Sequence, residues 1–188
     1  MAVKFKHSDC YSTYFCTFTC YKWLNLIEEA DGYPFVYKWF EYLKENKVAE
    51  ALGFVIMPNH VHFILYFASE EFNLSKVISN GKRFIAYGII KQLLEKGKNN
   101  RLNELGNSMS ERELKKKQRH HVFKDSFDAK PIYSEWFLQQ KLRYIHLNPV
   151  SKKWHLVDDY CDFEHSSASF YERNTIKQYA PGHYLDPW

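Results

Sequence analysis

Long apolar runs are absent from this sequence. No stretch reaches the roughly 18 residues that a membrane-spanning helix requires, so we expect no membrane span. The first residues, MAVKFKHSDCYSTYF, also lack the charged-then-apolar layout of a secretory signal peptide. Both absences favour a cytoplasmic protein.

Cysteine is scarce, and a glycine-rich nucleotide-binding loop is missing. The four cysteines, Cys10, Cys16, Cys20 and Cys161, form no Cys-x-x-Cys pair and show no framework spacing. We therefore expect reduced thiols rather than disulfides or a structural zinc site. No G-x-x-x-x-G-K-[ST] segment is present, which argues against a P-loop nucleotide-hydrolysing enzyme.

Aromatic residues, by contrast, are plentiful, with 14 Tyr, 15 Phe and 5 Trp among 188 residues. A chain of this length suits one domain with a substantial hydrophobic core. We find no internal repeat and no low-complexity tract. We therefore predict a single domain over residues 1–188.

Positive charge is concentrated in one part of the chain. The net charge is only +4, yet residues 76–119 contain 12 Lys and Arg against 4 Asp and Glu. Such a block favours a polyanionic partner, although a solvated helix and loop would have the same composition. Residues 97–119 are polar and rich in Gly and Asn, which indicates a basic insertion, with a short helix beginning at Ser110.

The order of the predicted elements favours an α+β fold. The patterns indicate strands at 11–20, 51–57, 60–67 and about 121–127, and helices at 34–51, 74–96 and 132–148. This order, followed by one extra helix, is that of a ferredoxin-like antiparallel sheet (an arrangement also called RRM-like). We expect the helices to cover one face and to leave the other partly open.

Two histidines, His60 and His62, stand at the head of the third predicted strand. Residues two apart point the same way in a strand, so both imidazoles share one face, while Val61, Phe63 and Leu65 form an apolar face directed at the core. A pair of imidazoles suits a metal ion. A solvent-facing pair without a ligand would show the same spacing.

The last predicted helix has two polar residues on one face. Tyr144 and Asn148 are four positions apart, which places them one turn from each other. Tyr144 offers a phenolic nucleophile and Asn148 offers a carbonyl oxygen for a metal. Tyr144 could equally be a buried aromatic residue of an amphipathic helix.

The segments MPNHVHFIL and RYIHLNPV together resemble the REP-associated tyrosine transposases, which belong to the insertion-sequence-200-like, single-tyrosine HUH nucleases. The resemblance covers about residues 10–171. It implies that His60 and His62 are the HUH histidines, that Tyr144 is the nucleophile and that Asn148 is the third metal ligand. His146 points away from that helix face, and we do not assign it as a ligand.

The resemblance also implies a reaction. Its substrate would be single-stranded DNA with a hairpin, as in REP-like repeats. Strand cleavage and rejoining would depend on Mg²⁺ or Mn²⁺ and pass through a 5′-phosphotyrosine. The protein would act in the cytoplasm, associated with the nucleoid, as a monomer or a homodimer. The segment NPVSKKWHLV and the length of 97–119 depart from the family pattern. These departures affect which DNA sequence we expect the protein to recognise more than they affect the chemistry.

Phosphate contacts are predicted from the basic residues of this region. The candidates are Lys82, Arg83, Lys91, Lys115, Lys116, Lys117 and Arg119.

Three other functions remain open: a domesticated transposase that binds DNA hairpins without cleavage, a metal hydrolase that uses the two histidines, and an interaction protein. The hydrolase would need other ligand motifs and a barrel of about 250 residues, for which this chain is too short.

Overall fold

The computed structural model describes residues 11–107 and 120–186. The strands are β1 (Thr13–Thr19), β2 (Glu50–Met57), β3 (His60–Tyr66) and β4 (Asp128–Pro131). The α-helices are α1 (Leu26–Glu29), α2 (Tyr33–Glu45), α3 (Leu74–Glu95), α4 (Asn99–Asn107), α5 (Glu135–Leu147) and α6 (Ala168–Arg173), and short 3-10 helices occupy Tyr21–Trp23 and Tyr160–Asp162.

The four described strands form one antiparallel sheet in the order β2-β3-β1-β4. A tight turn at Pro58 and Asn59 joins β2 to β3, as the short spacing between these strands predicted. The central strand β3 lies between β2 and β1, with His62 opposite Thr17 and His60 opposite Thr19. The prediction of an α+β fold with a ferredoxin-like sheet is confirmed.

One face of the sheet holds the larger hydrophobic core. Val61, Phe63 and Leu65 are completely buried there, which confirms the apolar face predicted from the alternation along β3. Helices α2 and α3 pack on these residues. The two helices approach each other closely at Gly81, where a Cβ atom would lie 2.3 Å from the Trp39 ring, so only glycine fits.

Helix α5 covers part of the opposite face, which is therefore less open than we expected. A second, smaller core lies between this helix and the sheet. Its buried members include Phe15, Val55, Ile64, Leu138, Leu142 and Ile145. The helix begins after Ser134, whose side chain accepts a hydrogen bond from the Phe137 amide and caps the first turn. This packing places α5 beside the first residues of β3.

The fourth strand lies at Asp128–Pro131, so the predicted position of about 121–127 is wrong. Val122 and Phe123 are buried, but their segment makes only an isolated bridge between Phe123 and Cys20. The apolar side chains of this irregular segment are buried, so its sequence has the same pattern as a strand.

Helix α4 was also missed, because its sequence, NNRLNELGN, is rich in Asn and poor in helix formers. Burial of Leu102 and Leu105, and a 2.9 Å ion pair from Arg101 to Glu29, hold it in place. The short helix predicted from Ser110 lies outside the described residues.

Other expectations concern the cysteines and the membrane. Cys16, Cys20 and Cys161 are buried free thiols, as predicted, and Cys10 lies outside the described residues. Within residues 11–107 and 120–186, no helix combines the length and the apolar character needed to cross a membrane.

Candidate active site

His60 and His62 lie side by side at the start of β3, on the face covered by α5. Their ring centroids are 4.6 Å apart and the ring planes are nearly perpendicular. The shared face predicted from their spacing is therefore present. The two side chains are only 4% and 6% exposed, which rules out a simple solvent-facing pair.

The neighbouring turn fixes the tautomer of His60. The Asn59 side-chain amide donates to the Trp23 carbonyl oxygen at 2.8 Å, so its Oδ1 faces the other way. This oxygen accepts a hydrogen bond from His60 Nδ1 at 2.7 Å. The proton therefore resides on Nδ1, and Nε2 keeps its lone pair for a ligand.

His62 is held between β1 and α5. Its Nδ1 is 2.6 Å from the Thr17 hydroxyl, and its Nε2 is 3.4 Å from the Tyr144 hydroxyl. With the proton on Nδ1, His62 donates to Thr17 and directs the Nε2 lone pair toward Tyr144. The two imidazoles thus present the same atom, Nε2, to the site.

Both histidines are neutral at neutral pH. Burial, together with a smaller contribution from the nearby Lys153 ammonium, lowers the pKa of His60 to about 4. Burial lowers the pKa of His62 to about 3, with additional contributions from His60 and Lys141. The neutral imidazole is the form that binds a metal ion.

Tyr144 borders the histidine pair from α5. Its ring makes edge contacts with His62, at a centroid distance of 5.1 Å, and with Phe15, at 5.9 Å. The side chain is 49% exposed, so the interpretation of Tyr144 as a buried core residue is wrong. Lys141, one turn earlier, places its ammonium group 5.9 Å from the Tyr144 ring centre. An exposed phenol beside a cation is accessible to an anionic substrate.

Asn148 lies directly after α5, one turn beyond Tyr144. Its backbone amide donates to the Ile145 carbonyl at 3.2 Å. Its side-chain Oδ1 is buried and accepts no hydrogen bond from any described residue. An unsatisfied buried oxygen of this kind costs about 1–3 kcal/mol, and a bound cation would offset that cost.

These donors fit the ion that the family resemblance implies. Two neutral imidazoles and a carboxamide oxygen are suitable ligands for Mn²⁺ or Mg²⁺. Within the described part of the chain, no group of three His, Cys, Asp or Glu residues could hold a metal ion. A third protein ligand beside the two imidazoles would therefore have to be another type of residue, such as an amide side chain.

His146 lies between Tyr144 and Asn148 in sequence but faces away from both histidines. Its Nε2 is 3.0 Å from the Ser167 hydroxyl, and its ring packs near Tyr171. Burial lowers the pKa of His146 to about 4. His146 is thus a packing residue, in agreement with its exclusion from the predicted ligands.

The predicted phosphate-binding residues do not gather at this site. The Lys82 side chain is half-buried, and its ammonium group donates to the carbonyls of residues 124, 125 and 126, which argues against a phosphate contact there. Arg83 and Lys91 are exposed on α3, over the opposite face of the sheet. The remaining candidates, Lys115, Lys116, Lys117 and Arg119, lie outside the described residues.

Other cations and aromatic rings surround the histidines, and sequence reasoning missed them. Lys141 lies beside Tyr144, while Lys153 contributes to the low pKa of His60. The rings of Trp23 and Trp154 flank His60 at centroid distances of 5.9 and 5.7 Å. The only sequence signal for these residues was the KKW segment at 152–154, shortly after Asn148.

The chain is similar in fold to a REP-associated tyrosine transposase. That structure shows the transposase bound to a REP hairpin. The alignment covers 98% of this chain and 94% of the transposase chain, with a TM-score of 0.61 and 16% sequence identity. At this identity the likeness establishes the fold, and it confirms at the level of the fold the resemblance inferred from the sequence.

A second similar structure is that of a protein from Deinococcus radiodurans R1, provisionally assigned as a transposase. The alignment covers 76% of this chain and 95% of the other chain, with a TM-score of 0.42 and 16% sequence identity. No protein-family model and no curated protein sequence matches the chain.

Proposed function

We propose that this protein is a single-stranded DNA transposase and endonuclease that cleaves and rejoins DNA at hairpin-associated sites. One observation carries the proposal: the exposed Tyr144 hydroxyl lies 3.4 Å from Nε2 of His62, at the edge of a buried pair of neutral imidazoles. A binding protein without chemistry has no need for a nucleophile in this position. The similarity in fold to a REP-associated tyrosine transposase supports the same interpretation.

The metal would be Mg²⁺ or Mn²⁺, held by Nε2 of His60, Nε2 of His62 and Oδ1 of Asn148. When bound, such an ion supplies Lewis-acid stabilisation of the charge that develops on the scissile phosphate. The hydrogen bonds between His60 and Asn59 and between His62 and Thr17 orient the two imidazoles for this task.

Tyr144 would act as the nucleophile. Its phenolic oxygen forms a bond to phosphorus while the bond from phosphorus to the 3′ oxygen breaks. The phenol loses a proton to solvent, and the departing 3′ oxygen gains one, so the products are a 5′-phosphotyrosine and a free 3′-hydroxyl. The Lys141 ammonium would attract the phosphate to the exposed side of the ring.

Rejoining would reverse these bonds. A 3′-hydroxyl attacks the phosphotyrosine, and the phenol of Tyr144 regains its proton as it departs. The covalent intermediate retains the energy of the phosphodiester bond, so no nucleotide cofactor is required. This is consistent with the absence of a P-loop sequence.

The proposed substrate is single-stranded DNA that carries a hairpin. The similar solved structure is of a transposase bound to a REP hairpin, which makes a hairpin the first substrate to test here. The protein would act as a monomer or a homodimer. An enzyme of this kind would act in the cytoplasm, on the nucleoid.

The test is a denaturing gel of the protein with labelled hairpin-bearing single strands from its own flanking DNA, in Mn²⁺ or EDTA. We expect a metal-dependent protein–DNA band that disappears in Tyr144→Phe. Tyr133→Phe is the matched control, because Tyr133 is an exposed tyrosine just before the same helix. Binding without a covalent band would favour the domesticated hairpin-binding protein, and a band that persists in Tyr144→Phe would refute the assigned nucleophile.

A further inference from the structure

A second group of side chains adjoins His60. It consists of Trp23, Trp154, Lys124 and Lys153, and we call it the tryptophan–lysine patch. Three separate segments supply it: the 3-10 helix after β1, the loop before β4 and the loop after α5. The proposed catalytic residues do not account for it.

Trp23 is 48% exposed, and its backbone has an uncommon conformation. Its backbone φ is +61°, a region that bulky residues rarely adopt because it is strained. Its carbonyl oxygen accepts the 2.8 Å hydrogen bond from Asn59, the residue that also orients His60. The fold therefore tolerates strain to keep an exposed indole at a fixed position beside the histidines.

Two ammonium groups lie over the same indole. Nζ of Lys124 is 4.4 Å from the Trp23 ring centre, and Nζ of Lys153 is 4.8 Å from it. Lys153 also lies 5.5 Å from the Trp154 ring centre. No carboxylate among residues 11–107 and 120–186 forms an ion pair with either lysine. The patch thus combines exposed aromatic surface with uncompensated positive charge.

This combination matches the chemistry of an unpaired nucleotide. A flat aromatic ring stacks on a base, and lysines contact the neighbouring phosphates. A duplex would not offer the face of a base, because both faces are covered by stacked neighbours. The distance of 5.9 Å between the rings of Trp23 and His60 makes the patch continuous with the proposed reaction centre.

We propose that the tryptophan–lysine patch binds an unpaired nucleotide of the DNA strand next to the phosphate attacked by Tyr144. The base stacks on Trp23, and the lysine ammonium that it displaces moves to a flanking phosphate. The assignment rests on the proposed function, since it takes single-stranded DNA as the substrate. It moves the DNA-binding surface from α3, where sequence reasoning placed part of it, to the loops around His60.

The test measures DNA binding separately from cleavage. Fluorescence anisotropy in EDTA compares a labelled hairpin that carries an unpaired flank with the same hairpin lacking the flank. Trp23→Ala should weaken binding of the flanked hairpin by about 5- to 100-fold and leave the blunt hairpin unchanged. Trp23→Phe should retain most of the affinity. Tyr87→Ala, which removes an exposed aromatic ring over the opposite sheet face, is the matched control.

A second variant tests the charges without altering Trp23. Lys124→Gln combined with Lys153→Gln should lower the slope of log affinity against log salt by about 1.4, because each single-strand phosphate that a lysine neutralises contributes about 0.7. Lys38→Gln, an exposed lysine on α2, should leave the slope unchanged. This variant keeps the test decisive if Trp23→Ala folds poorly.

The outcomes separate this inference from the proposed function. If the patch variants bind DNA with the affinity and the salt slope of the wild type, the patch is not a DNA-binding site, even if the Tyr144 adduct forms. Weaker binding in the patch variants, with no adduct on any DNA, would support the patch and refute the cleavage. Absence of DNA binding by the wild-type protein would overturn both.

Discussion

The phenolic oxygen of Tyr144 lies 3.4 Å from Nε2 of His62, although 82 residues separate them in the chain. Packing of α5 on the sheet creates this relationship, because Leu142 and Ile145 from the helix share a buried cluster with Ile64 from β3. The position of the proposed nucleophile is therefore set by hydrophobic contacts on either side of it.

Thr17 orients His62 and should tune the affinity of the site for metal. Its hydroxyl is 2.6 Å from His62 Nδ1, so Thr17→Val removes a partner while nearly preserving the shape of the side chain. Loss of such an orienting group typically lowers metal affinity or activity by about 10- to 100-fold. Titration with Mn²⁺, followed by calorimetry, measures the change directly.

Thr13→Val is the control for Thr17→Val, since Thr13 occupies the other end of β1, opposite Tyr66. It should bind Mn²⁺ as the wild type does. Equal affinity of the Thr17→Val variant and the wild type would show that His62 is not a ligand or needs no orienting partner.

Asn148 should have opposite effects with and without metal. Its Oδ1 is buried and has no described hydrogen-bond partner, so Asn148→Leu removes an unsatisfied group. In EDTA the variant should be as stable as the wild type or more stable, by up to about 1–3 kcal/mol. In Mn²⁺ the wild type should gain stability through ligand binding and the variant should gain much less.

Thermal unfolding of both proteins, with and without Mn²⁺, provides the comparison for Asn148. A variant that Mn²⁺ stabilises as strongly as the wild type would exclude Asn148 as a ligand. Strong destabilisation in EDTA would instead mean that the carboxamide has a structural partner.

Much of the fold could be predicted from local pattern. The alternation along β3 and the periodicity of α5 depend on neighbouring residues, and each of these elements packs as its pattern indicates. Helix α4 could not be predicted in this way, because the burial of Leu102 and Leu105 depends on tertiary contacts. The position of β4 was missed because Val122 and Phe123 are buried in a loop.

The candidate site shows the same division. Spacing alone placed His60 with His62 and Tyr144 with Asn148, since each pair lies within one element. The contact between the two pairs depends on how α5 packs on β3, and only the family resemblance anticipated it. The tryptophan–lysine patch is formed by three segments that are distant in sequence, so no local sequence motif predicts it.

Acid should destabilise the protein through its buried histidines, and His165 offers the clearest test. Its ring stacks on Tyr33, and its Nδ1 is 2.9 Å from the Tyr37 hydroxyl. Burial, opposed by Glu164 and assisted by Lys177, lowers the pKa of His165 to about 4. The unfolded chain, with a histidine pKa of about 6.5, binds the proton more readily. Stability is thus fully present above about pH 6.5 and is lost as the pH falls through about 4.

Urea unfolding across this pH window should show the contribution of His165. His165→Gln should lose less stability than the wild type as the pH falls, although it will be less stable at neutral pH. His155→Gln, which replaces an exposed histidine, should follow the wild-type curve. Parallel curves for His165→Gln and the wild type would show that His165 is protonated equally well in the folded protein.

Gly53 provides the most direct link between packing and the proposed chemistry. A Cβ atom at this position in β2 would lie 2.3 Å from Cδ2 of Leu142, so the Leu142 side chain must move in Gly53→Ala, and we expect α5 to move with it. We expect destabilisation of about 1–3 kcal/mol from overpacking. Because Leu142 is two residues from Tyr144, a displacement of about 1 Å should also lower the yield of the covalent adduct by about 100-fold.

The double variant Gly53→Ala with Leu142→Ala separates this clash from a general effect of alanine in β2. Removal of the Leu142 side chain relieves the contact, so the two substitutions should be strongly non-additive in stability. Stability follows from urea unfolding, and the adduct follows from the denaturing gel. If the losses of stability from the two substitutions are additive, Leu142 does not clash with the alanine at position 53. In that case the contact between Gly53 and Leu142 is not what positions Tyr144 beside His62.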